Sequence, residues 1–295
     1  MLQLEIKSSC ISRCRDSCCC CFVGPGLENG VLATVAEICA DLERRFPPQL
    51  AEAWDNTGLL IGARSRHVDR LLTCLTLTQE VAAEAVQSGC QMIVSHHPVL
   101  FRAVQRLTED TVEGRILLQL IEAGISVYSP HTSFDSAAAG INQMLAQSFG
   151  LEQVVPLQPA ESVPQLGSGR SGKLSPALEL DDFLRLVAKV TGTQWLKVCR
   201  GGPDQVRHVA IGCGAAEGFL ETAIARGCDC FVTGEARFHT LLAARAAGVN
   251  LVLTGHYGSE RPAIERLAVQ LGEQFPGVSC TASEAETNPV EFFSV

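Results

Sequence analysis

The sequence has no apolar run that approaches the ~20 residues needed for a membrane-spanning helix. It also lacks a surplus of positive charge: 23 lysines and arginines stand against 32 aspartates and glutamates, and the formal net charge is −9. Non-specific nucleic-acid binding requires a cationic face, so we expect no nucleic-acid partner. The first 30 residues lack the apolar core and the cleavage site of a secretory signal. We therefore expect a soluble, cytoplasmic protein that binds no membrane.

Common nucleotide-binding and hydrolase motifs are missing as well. The glycine loop Gly212-Cys213-Gly214 resembles a phosphate cradle only loosely, because it fits neither G-x-x-x-x-G-K-[ST] nor G-x-G-x-x-G. The G-x-S-x-G elbow of α/β-hydrolases does not occur. No period of about 20–50 residues repeats, which argues against a solenoid. With 295 residues, 46% of them hydrophobic, the chain is long enough for a sizeable globular core.

Cysteine is unusually frequent, with 14 residues, six of them before residue 22. The other eight lie among apolar neighbours without a C-x-x-C pair, which favours buried thiols in a reducing cytosol over disulfides or a zinc site. Residues 1–30 have no clear period and are predicted to be a disordered tail. One hypothesis is that this tail is a mis-annotated start and that the true start lies near Val23 or Val31. The alternative is a genuine tail that binds metal through thiolates.

From Val31 onward the chain alternates between strand and helix patterns. Strand patterns cover residues 70–78, 91–95, 125–129, 193–199, 206–213, 229–234, 250–255 and 278–283. Helix patterns lie between most of them, which predicts an α/β fold with mixed, mainly parallel sheets flanked by helices.

Residues 157–176 are rich in proline, glycine and serine and are predicted to form a loop or linker between two lobes. We expect one domain over residues 31–295. Its lobe 1 would comprise about residues 31–155 plus 250–295, and its lobe 2 about residues 170–249.

Residue types that bind metals follow several of the predicted strands. Ligand sites in open α/β sheets gather beyond the carboxyl ends of strands, so these residues are candidates for one site. The candidate ligands are His96, His97, Asp135, His256 and Glu260.

Each candidate also has an ordinary explanation. His96 and His97 could simply finish a loop, although adjacent imidazoles point in different directions and suit two metal ions better than one. Asp135 could cap a helix, and Glu260 could complement the helix dipole behind a Ser259 cap. Together, three imidazoles and two carboxylates predict a two-metal set. The mixture of nitrogen and oxygen ligands suits Zn, Fe, Mn, Co or Ni rather than a structural cysteine-type zinc site.

Two further segments permit more than one interpretation. Glu235 and His239 are spaced by four residues at a predicted helix start, and could support the ligands, contact substrate or form a plain exposed pair. Residues 54–58, Trp-Asp-Asn-Thr-Gly, could fold over a site or form a turn anchored by Trp54.

Five motifs occur in a familiar order: WDNTGLLIG, SHHPVLF, SPHTSFD followed by GIN, TGEARFH and TGHYGSE. In this order and spacing they resemble the NGG-one-interacting-factor-three-like (NIF3-like) family, also labelled GTP cyclohydrolase 1 type 2 homologues. The resemblance covers about residues 31–295. It implies a two-lobed α/β fold, a dinuclear metal centre between the lobes, and subunits assembled into a homo-oligomeric ring, commonly a hexamer.

The resemblance also implies roles for individual residues. The family's metal ligands fall on His96, His97, Asp135, His256 and Glu260, with the glutamate bridging two divalent ions. His131 would then lie behind the ligands or face the substrate. The family often has aspartate where this chain has Glu235, which leaves the role of that position open.

Two hypotheses for function follow. The first is a metal-dependent hydrolase that uses a metal-bridged water on a small-molecule substrate, which includes nucleotides, with His131 or Glu235 as general acid or base. Opening of the GTP imidazole ring and phosphoester hydrolysis both fit such a centre. The second is a metal-binding interaction or metal-handling module without turnover.

Overall fold

A computed structural model describes residues 33–161 and 163–293 of the chain. The predictions for residues 1–30, including those for their six cysteines, lie outside the described residues. The described strands are β1 (Ala33–Thr34), β2 (Gly58–Ile61), β3 (His67–Val68), β4 (Arg70–Cys74), β5 (Met92–Ser95), β6 (Ser126–Ser129), β7 (Glu152–Pro159), β8 (Gly167–Glu179), β9 (Lys197–Cys199), β10 (Gln205–Gly212), β11 (Cys230–Thr233), β12 (Asn250–Leu253) and β13 (Ser279–Ala282).

The helices separate most of these strands, as the alternating pattern predicts. Short 3-10 turns cover Pro48–Leu50 and Glu217–Phe219. The α-helices are α1 (Val35–Arg45), α2 (Gln79–Gln87), α3 (Val112–Glu122), α4 (His131–Ser136), α5 (Ile141–Ser148), α6 (Leu180–Thr191), α7 (Leu220–Ala225), α8 (Phe238–Ala246) and α9 (His256–Gln274).

Two mixed sheets organise the fold. The first has the strand order β13-β4-β5-β6-β2, in which only the edge strand β2 is antiparallel to its neighbour. The second has the order β7-β8-β10-β11-β12-β9, with β10, β11 and β12 parallel at its centre. The central parallel strands β4, β5, β6, β11 and β12 are buried almost throughout, which is why their sequences are nearly continuous apolar runs.

Helices flank the sheets and join them. Helix α9 follows β12 of the six-stranded sheet but packs against β4 and β13 of the five-stranded sheet. Helix α6 packs against β8, β10 and α9. One apolar cluster, which contains Leu71, Val209 and Leu267, therefore runs between the two sheets. The predicted mixed α/β fold with sheets flanked by helices is confirmed.

The prediction of a loop over residues 157–176 holds only for residues 160–161 and 163–166, which connect two strands, and is wrong for the rest. Strands β7 and β8 form an antiparallel pair there, and residues 167–174 are largely buried. The glycines permit close strand packing: a Cβ on Gly169 would lie 2.9 Å from the Ile211 carbonyl oxygen, and one on Gly172 would lie 3.0 Å from that of Glu152. Composition suggested a loop, whereas these residues are small because a neighbouring strand lies against them.

Two boundaries near residue 250 also differ from the expectation. Strand β12, which was predicted to belong to lobe 1, pairs with β11 and β9 of the six-stranded sheet. Helix α9 begins at His256, with Gly255 as its N-cap, rather than at Ser259. The hydroxyl of Ser259 instead donates to the His256 carbonyl oxygen and accepts from the Gly214 N–H, so it ties α9 to the loop after β10.

The eight cysteines of this part of the chain carry free thiols, and six of them are buried, as predicted. Burial raises the pKa of Cys39 and Cys280 to about 11, which keeps both thiols protonated and unreactive at neutral pH. Among the described helices, none combines the length and apolar character that crossing a bilayer demands.

Candidate functional site

The carboxyl ends of three strands supply the predicted site residues. His96 and His97 directly follow β5, and Asp135 lies in the short helix α4 after β6. His256 and Glu260 occupy the first two turns of α9 after β12. Strands β5 and β6 belong to the five-stranded sheet and β12 to the six-stranded one, so side chains from both sheets meet at one place.

The structure brings all five predicted ligands together around Glu260. Its Oε2 lies 3.2 Å from His97 Nε2 and 3.1 Å from His256 Nε2, and these two nitrogens are 3.3 Å apart. Its Oε1 lies 4.0 Å from His96 Nε2, which in turn is 3.6 Å from Asp135 Oδ1. The Glu260 carboxylate therefore presents one oxygen to His97 and His256 and the other toward His96. We call these five residues the His/carboxylate cluster.

Burial makes this cluster costly without a cation. The His96 side chain is fully buried, and neither of its ring nitrogens has a hydrogen-bond partner. Burial lowers the pKa of His96 well below its ordinary value, so the ring is neutral and offers lone pairs. Unpartnered imidazole nitrogens beside two carboxylates are a donor set suited to divalent ions such as zinc. The residues present therefore fit a metal site.

The two carboxylates respond differently to their surroundings. Burial, together with the nearby Glu260 charge, raises the pKa of Asp135 to about 7. Burial also acts to raise the pKa of Glu260, but the nearby His256 and His97 imidazoles outweigh it and the pKa falls below its ordinary value. Glu260 is thus the ionised centre of the cluster.

The loop that carries His97 is held by residues that sequence reasoning missed. Thr76 Oγ1 lies 2.7 Å from His97 Nδ1, which leaves Nε2 to face Glu260. The backbone N–H of His97 donates to the Leu75 carbonyl oxygen, and Ser95 Oγ donates to the His97 carbonyl oxygen. An outer hydrogen bond of this kind orients a metal-binding imidazole and fixes its tautomer. The position of Thr76, just after the strand next to β5, was the one sequence feature that could have indicated this contact.

His131 stands beside the cluster and pairs with the loop of residues 54–58. Its Nδ1 lies 2.7 Å from Asp55 Oδ1, and Asp55 Oδ2 accepts from the Thr132 backbone N–H and hydroxyl. The backbone of His131 has φ 31°, a left-handed conformation that is strained for a residue with a side chain. The Trp54 ring lies 6.0 Å from the His131 ring. The loop of residues 54–58 therefore lies at the site, which favours the interpretation that it folds over a site.

Asparagine at position 55 is expected to destabilise the metal-free protein most between about pH 4 and 6.5. Burial acts to raise the pKa of Asp55, but His131 and Thr132 outweigh it and lower the pKa from 3.8 to about 2. Burial acts to lower the pKa of His131, but Asp55 outweighs it and the pKa lies above 6.5. The Asp55 contribution is present above pH 3.8 and is lost toward pH 2. The His131 contribution is present below pH 6.5 and is lost as the pH rises through the raised pKa.

Urea unfolding at about pH 3, 5 and 8 checks this expectation. The free energy of unfolding should differ between wild type and Asp55→Asn by about 2 kcal/mol at pH 5, and by less at both other values. Asp182→Asn is the control, because the Asp182–Arg185 pair is exposed. A difference that stays constant with pH would contradict the ion pair.

Glu235 and His239 do not join the cluster directly. Glu235 is exposed and its Oε1 lies 3.6 Å from His256 Nδ1, on the side of that ring away from Glu260. His239 is exposed and its ring lies 5.9 Å from that of Phe238. Glu235 is therefore an outer partner of His256, whereas no contact of His239 with the cluster is present in the described structure.

A cavity of about 550 Å³ opens onto the cluster. Cys213 lines it, with Sγ 3.2 Å from Asp135 Oδ1, and so does Gly214. Gly214 has φ +62°, and a Cβ there would lie 2.3 Å from Glu260 Oε1, so glycine suits both the backbone conformation and the space beside this carboxylate. The glycines of this loop stand out in the sequence, whereas its contact with the cluster was not predicted.

Relatives with curated names share most of the chain. A GTP cyclohydrolase 1 type 2 homolog of Clostridium acetobutylicum is 31% identical over 238 residues, which are 80% of this chain and 89% of that protein. A protein NIF3 homolog of Schizosaccharomyces pombe is 35% identical over 232 residues, which are 75% of this chain and 82% of that protein.

A solved structure agrees with the fold. The crystal structure of a Staphylococcus aureus hypothetical protein superposes with a TM-score of 0.79 at 27% identity, and covers 88% of this chain and 99% of that one. The family model described as Duf34/NIF3 (NGG1p interacting factor 3) matches residues 33–289. The chain therefore belongs to the Duf34/NIF3 family.

Proposed function

We propose that the His/carboxylate cluster binds two divalent metal ions and that the protein is a metal-dependent hydrolase of a small molecule. The observation that carries this proposal is the convergence of three histidines and Asp135 around Glu260, with both ring nitrogens of the buried His96 unpartnered. Groups of side chains suited to holding an ion, His97–His256–Glu260 and His96–His97–His131, lie within this region.

The distances divide the ligands into two sets that share Glu260. His97 and His256 face its Oε2, while His96 and Asp135 lie on the side of its Oε1. A carboxylate with one oxygen toward each set suits a bridge between two ions. Two such ions, when bound, would lower the pKa of a shared water toward neutrality.

The chain's own residues supply proton transfer and positioning. His131 lines the cavity, and its pairing with Asp55 fixes Nδ1 and leaves Nε2 to exchange a proton with substrate. Glu235 does not line this cavity, so we assign it the orientation of His256 rather than acid–base chemistry.

The names of relatives suggest opening of the GTP imidazole ring, because several are called GTP cyclohydrolase 1 type 2 homologs. Hydrolysis of a phosphoester is equally consistent with the cluster. In both reactions an activated water attacks an electron-poor centre.

Elemental analysis tests the proposal. Protein purified without chelator or affinity metal should carry close to two ions per chain, and His97→Ala should lose most of them. With metal restored, activity against nucleotides and phosphodiesters should appear and should fall by at least about 100-fold in Glu260→Gln. His239→Ala, an exposed histidine outside the cluster, is the control. Bound metal without turnover of any substrate in a broad panel would favour a metal-handling module. Protein that carries no metal at all would contradict the proposal.

A further inference from the structure

A second cavity, of about 300 Å³, lies on the six-stranded sheet and collects basic side chains. Its three basic residues come from three elements: Lys173 from β8, His208 from β10 and Arg226 from the end of α7. Lys173 and His208 are direct partners in the antiparallel β8–β10 pair, so their side chains share one face of the sheet. We call this cavity the basic pocket. Among the described residues, it shares no lining residue with the cavity at the His/carboxylate cluster.

The positive charges of the basic pocket are not neutralised within the described part of the chain. None of the described residues that line it is aspartate or glutamate, and the ion pairs of this part of the chain include neither Lys173 nor Arg226. Glu152 stands opposite Lys173 in the β7–β8 register but does not line the pocket. Asp229 accepts from two backbone N–H groups of β10. In a chain of net charge −9, two unpaired cations in one pocket favour an anionic ligand.

A buried hydroxyl holds one of these cations in place. Arg226 Nη1 donates to Ser171 Oγ across 3.3 Å, and Ser171 is only 1% exposed. A guanidinium has five N–H donors, and the others on Arg226 have no partner among the described residues. This contact restricts a long side chain before any ligand arrives, which lowers the entropic cost of binding.

The edge strand β7 contributes a strained bulge to the same pocket. The β7–β8 register shifts between Glu152 and Val155, and Gln153 within this bulge has φ 53°, which is strained for a residue with a side chain. Gln153 and Val155 both line the basic pocket. Bulges and strained residues are concentrated at functional sites, where they place a side chain. The amide of Gln153 adds a neutral hydrogen-bond donor to the lining.

We propose that the basic pocket binds a phosphate group, either as free phosphate or on a small monoester. Lys173 and Arg226 supply two positive charges, which match the charge of about −1.5 to −2 that a phosphate monoester carries at pH 7. Ammonium and guanidinium groups are the usual phosphate-binding side chains of proteins. Ser171, Gln153 and His208 offer neutral donors for the other phosphate oxygens. A carboxylate, with one charge and two oxygens, would leave one cation and several donors without a partner.

The size of the pocket limits what the phosphate can be attached to. A volume of about 300 Å³ lies at the lower end of the range for small-molecule sites, so only a small group fits beside the phosphate. The proposal uses none of the residues of the His/carboxylate cluster and does not depend on the proposed metal centre.

Isothermal titration calorimetry with inorganic phosphate and with glycerol 3-phosphate, at constant ionic strength, tests the proposal. The full chain is titrated as purified and again after removal of metal, because metal ions at the cluster would also bind phosphate. At least one of the two compounds should bind at close to one per chain, with a dissociation constant of roughly 1 mM or lower, in both preparations. Binding confined to the metal-containing protein would place the phosphate at the cluster and overturn this proposal, while leaving the proposed function intact.

Variants of the two cations test the location of the phosphate. Arg226→Gln and Lys173→Gln should each weaken binding at least about tenfold, because each removes a charged hydrogen-bond donor, whereas Lys173→Arg should retain most of the affinity. Lys173 is exposed, so Lys173→Gln tests the proposal even if Arg226→Gln fails to fold. Arg207→Gln is the matched control. Arg207 lies on β10 beside His208, is exposed and does not line the pocket, so the same loss of charge should change the affinity less than about twofold.

The two compounds distinguish the sources of the phosphate. Tighter binding of glycerol 3-phosphate would identify a phosphorylated small molecule as the ligand, and tighter binding of inorganic phosphate would identify the free ion. Equal weakening in Arg207→Gln and Lys173→Gln would show that phosphate responds only to net charge, which would overturn the proposal. A polyglutamate peptide that binds where neither phosphate compound does would also overturn it, in favour of an acidic protein partner.

Discussion

Leucine in place of His96 is expected to stabilise the metal-free protein and to abolish its response to metal. The wild-type ring is fully buried, neutral and without a hydrogen-bond partner at either nitrogen. A buried polar group left unsatisfied costs about 1–3 kcal/mol, and an apolar side chain of similar size avoids that cost. The free energy of unfolding in chelator should therefore rise by about 1–3 kcal/mol in His96→Leu.

The difference in the free energy of unfolding between His96→Leu and wild type changes sign when metal is present. An ion at 1,000 times its dissociation constant stabilises the form that binds it by about 4 kcal/mol, and His96→Leu would forgo this gain. Wild type should thus be the more stable protein in saturating metal and the less stable one in chelator. Urea unfolding of both proteins, in chelator and in saturating metal, measures this change in the order of stability. His239→Leu, at an exposed position outside the cluster, should shift neither value.

Two results would contradict this expectation. If His96→Leu unfolds more easily than wild type in chelator, the buried ring makes stabilising contacts beyond those described above. If the variant keeps the full metal-dependent gain, His96 is not a ligand. The expected pattern instead identifies a position where stability is given up for binding, which is common at functional sites.

The ends of the parallel strands were predictable because local pattern determines them. Buried strands such as β5 and β12 are short apolar runs, and the polar residues after them stand out in the sequence. Parallel strands end at the same edge of a sheet, so the residues after β5 and β6 could be assigned to one region without coordinates. His256 follows β12 of the other sheet, which this rule does not place beside them. The family resemblance then gave the same five residues as the expected ligands.

The pairing of strands was less accessible. Whether β12 belongs with β11 or with the five-stranded sheet depends on contacts between distant segments, which a local apolar pattern does not encode. The strand β8 was missed for a related reason. Its Gly169 and Gly172 suggest a loop by composition, yet they are required by the close approach of Ile211 and Glu152.

Residues that support the ligands were the hardest to find. Asp55 contacts His131 across 76 positions of the chain, and Thr76 contacts His97 across 21. Neither spacing follows a helix or strand period, so periodicity provides no signal. Asp55 was noticed only as part of a Trp-Asp-Asn-Thr-Gly loop, and Thr76 was taken as the interior of a strand.

Methionine in place of Arg261 is expected to cause one of the largest losses of stability in the protein. The Arg261 guanidinium donates to Glu286 through Nη1 and to the Ser283 carbonyl oxygen through Nη2. The Glu286 side chain is 3% exposed, and its carboxylate also accepts from the backbone N–H groups of Leu75 and Thr76. Removal of one partner of a buried ion pair leaves an uncompensated charge, which costs about 3–5 kcal/mol.

A double-mutant cycle checks that the cost comes from the orphaned charge. The double variant Arg261→Met with Glu286→Gln should be more stable than Arg261→Met alone. The second change removes the buried charge that the first change leaves without a partner. Arg185→Met is the control: its pair with Asp182 is exposed, so its loss should cost less than about 1 kcal/mol. Strictly additive losses in the cycle would show that the two side chains do not act as a pair.

The same contacts reach the His/carboxylate cluster, so Glu286→Gln should also weaken metal binding. Glu286 holds the backbone of Thr76, whose hydroxyl bonds His97 Nδ1, and Arg261 directly follows Glu260 in α9. Changes to such outer partners typically cost about 10–100-fold in metal affinity. Competition with a chelator measures the affinity of Glu286→Gln and of Thr76→Val, which removes only the last bond of the chain. If Glu286→Gln loses stability while its metal affinity stays at the wild-type value, the Arg261–Glu286 pair stabilises the fold and does not position His97. A loss shared with Thr76→Val instead indicates that Glu286 positions His97.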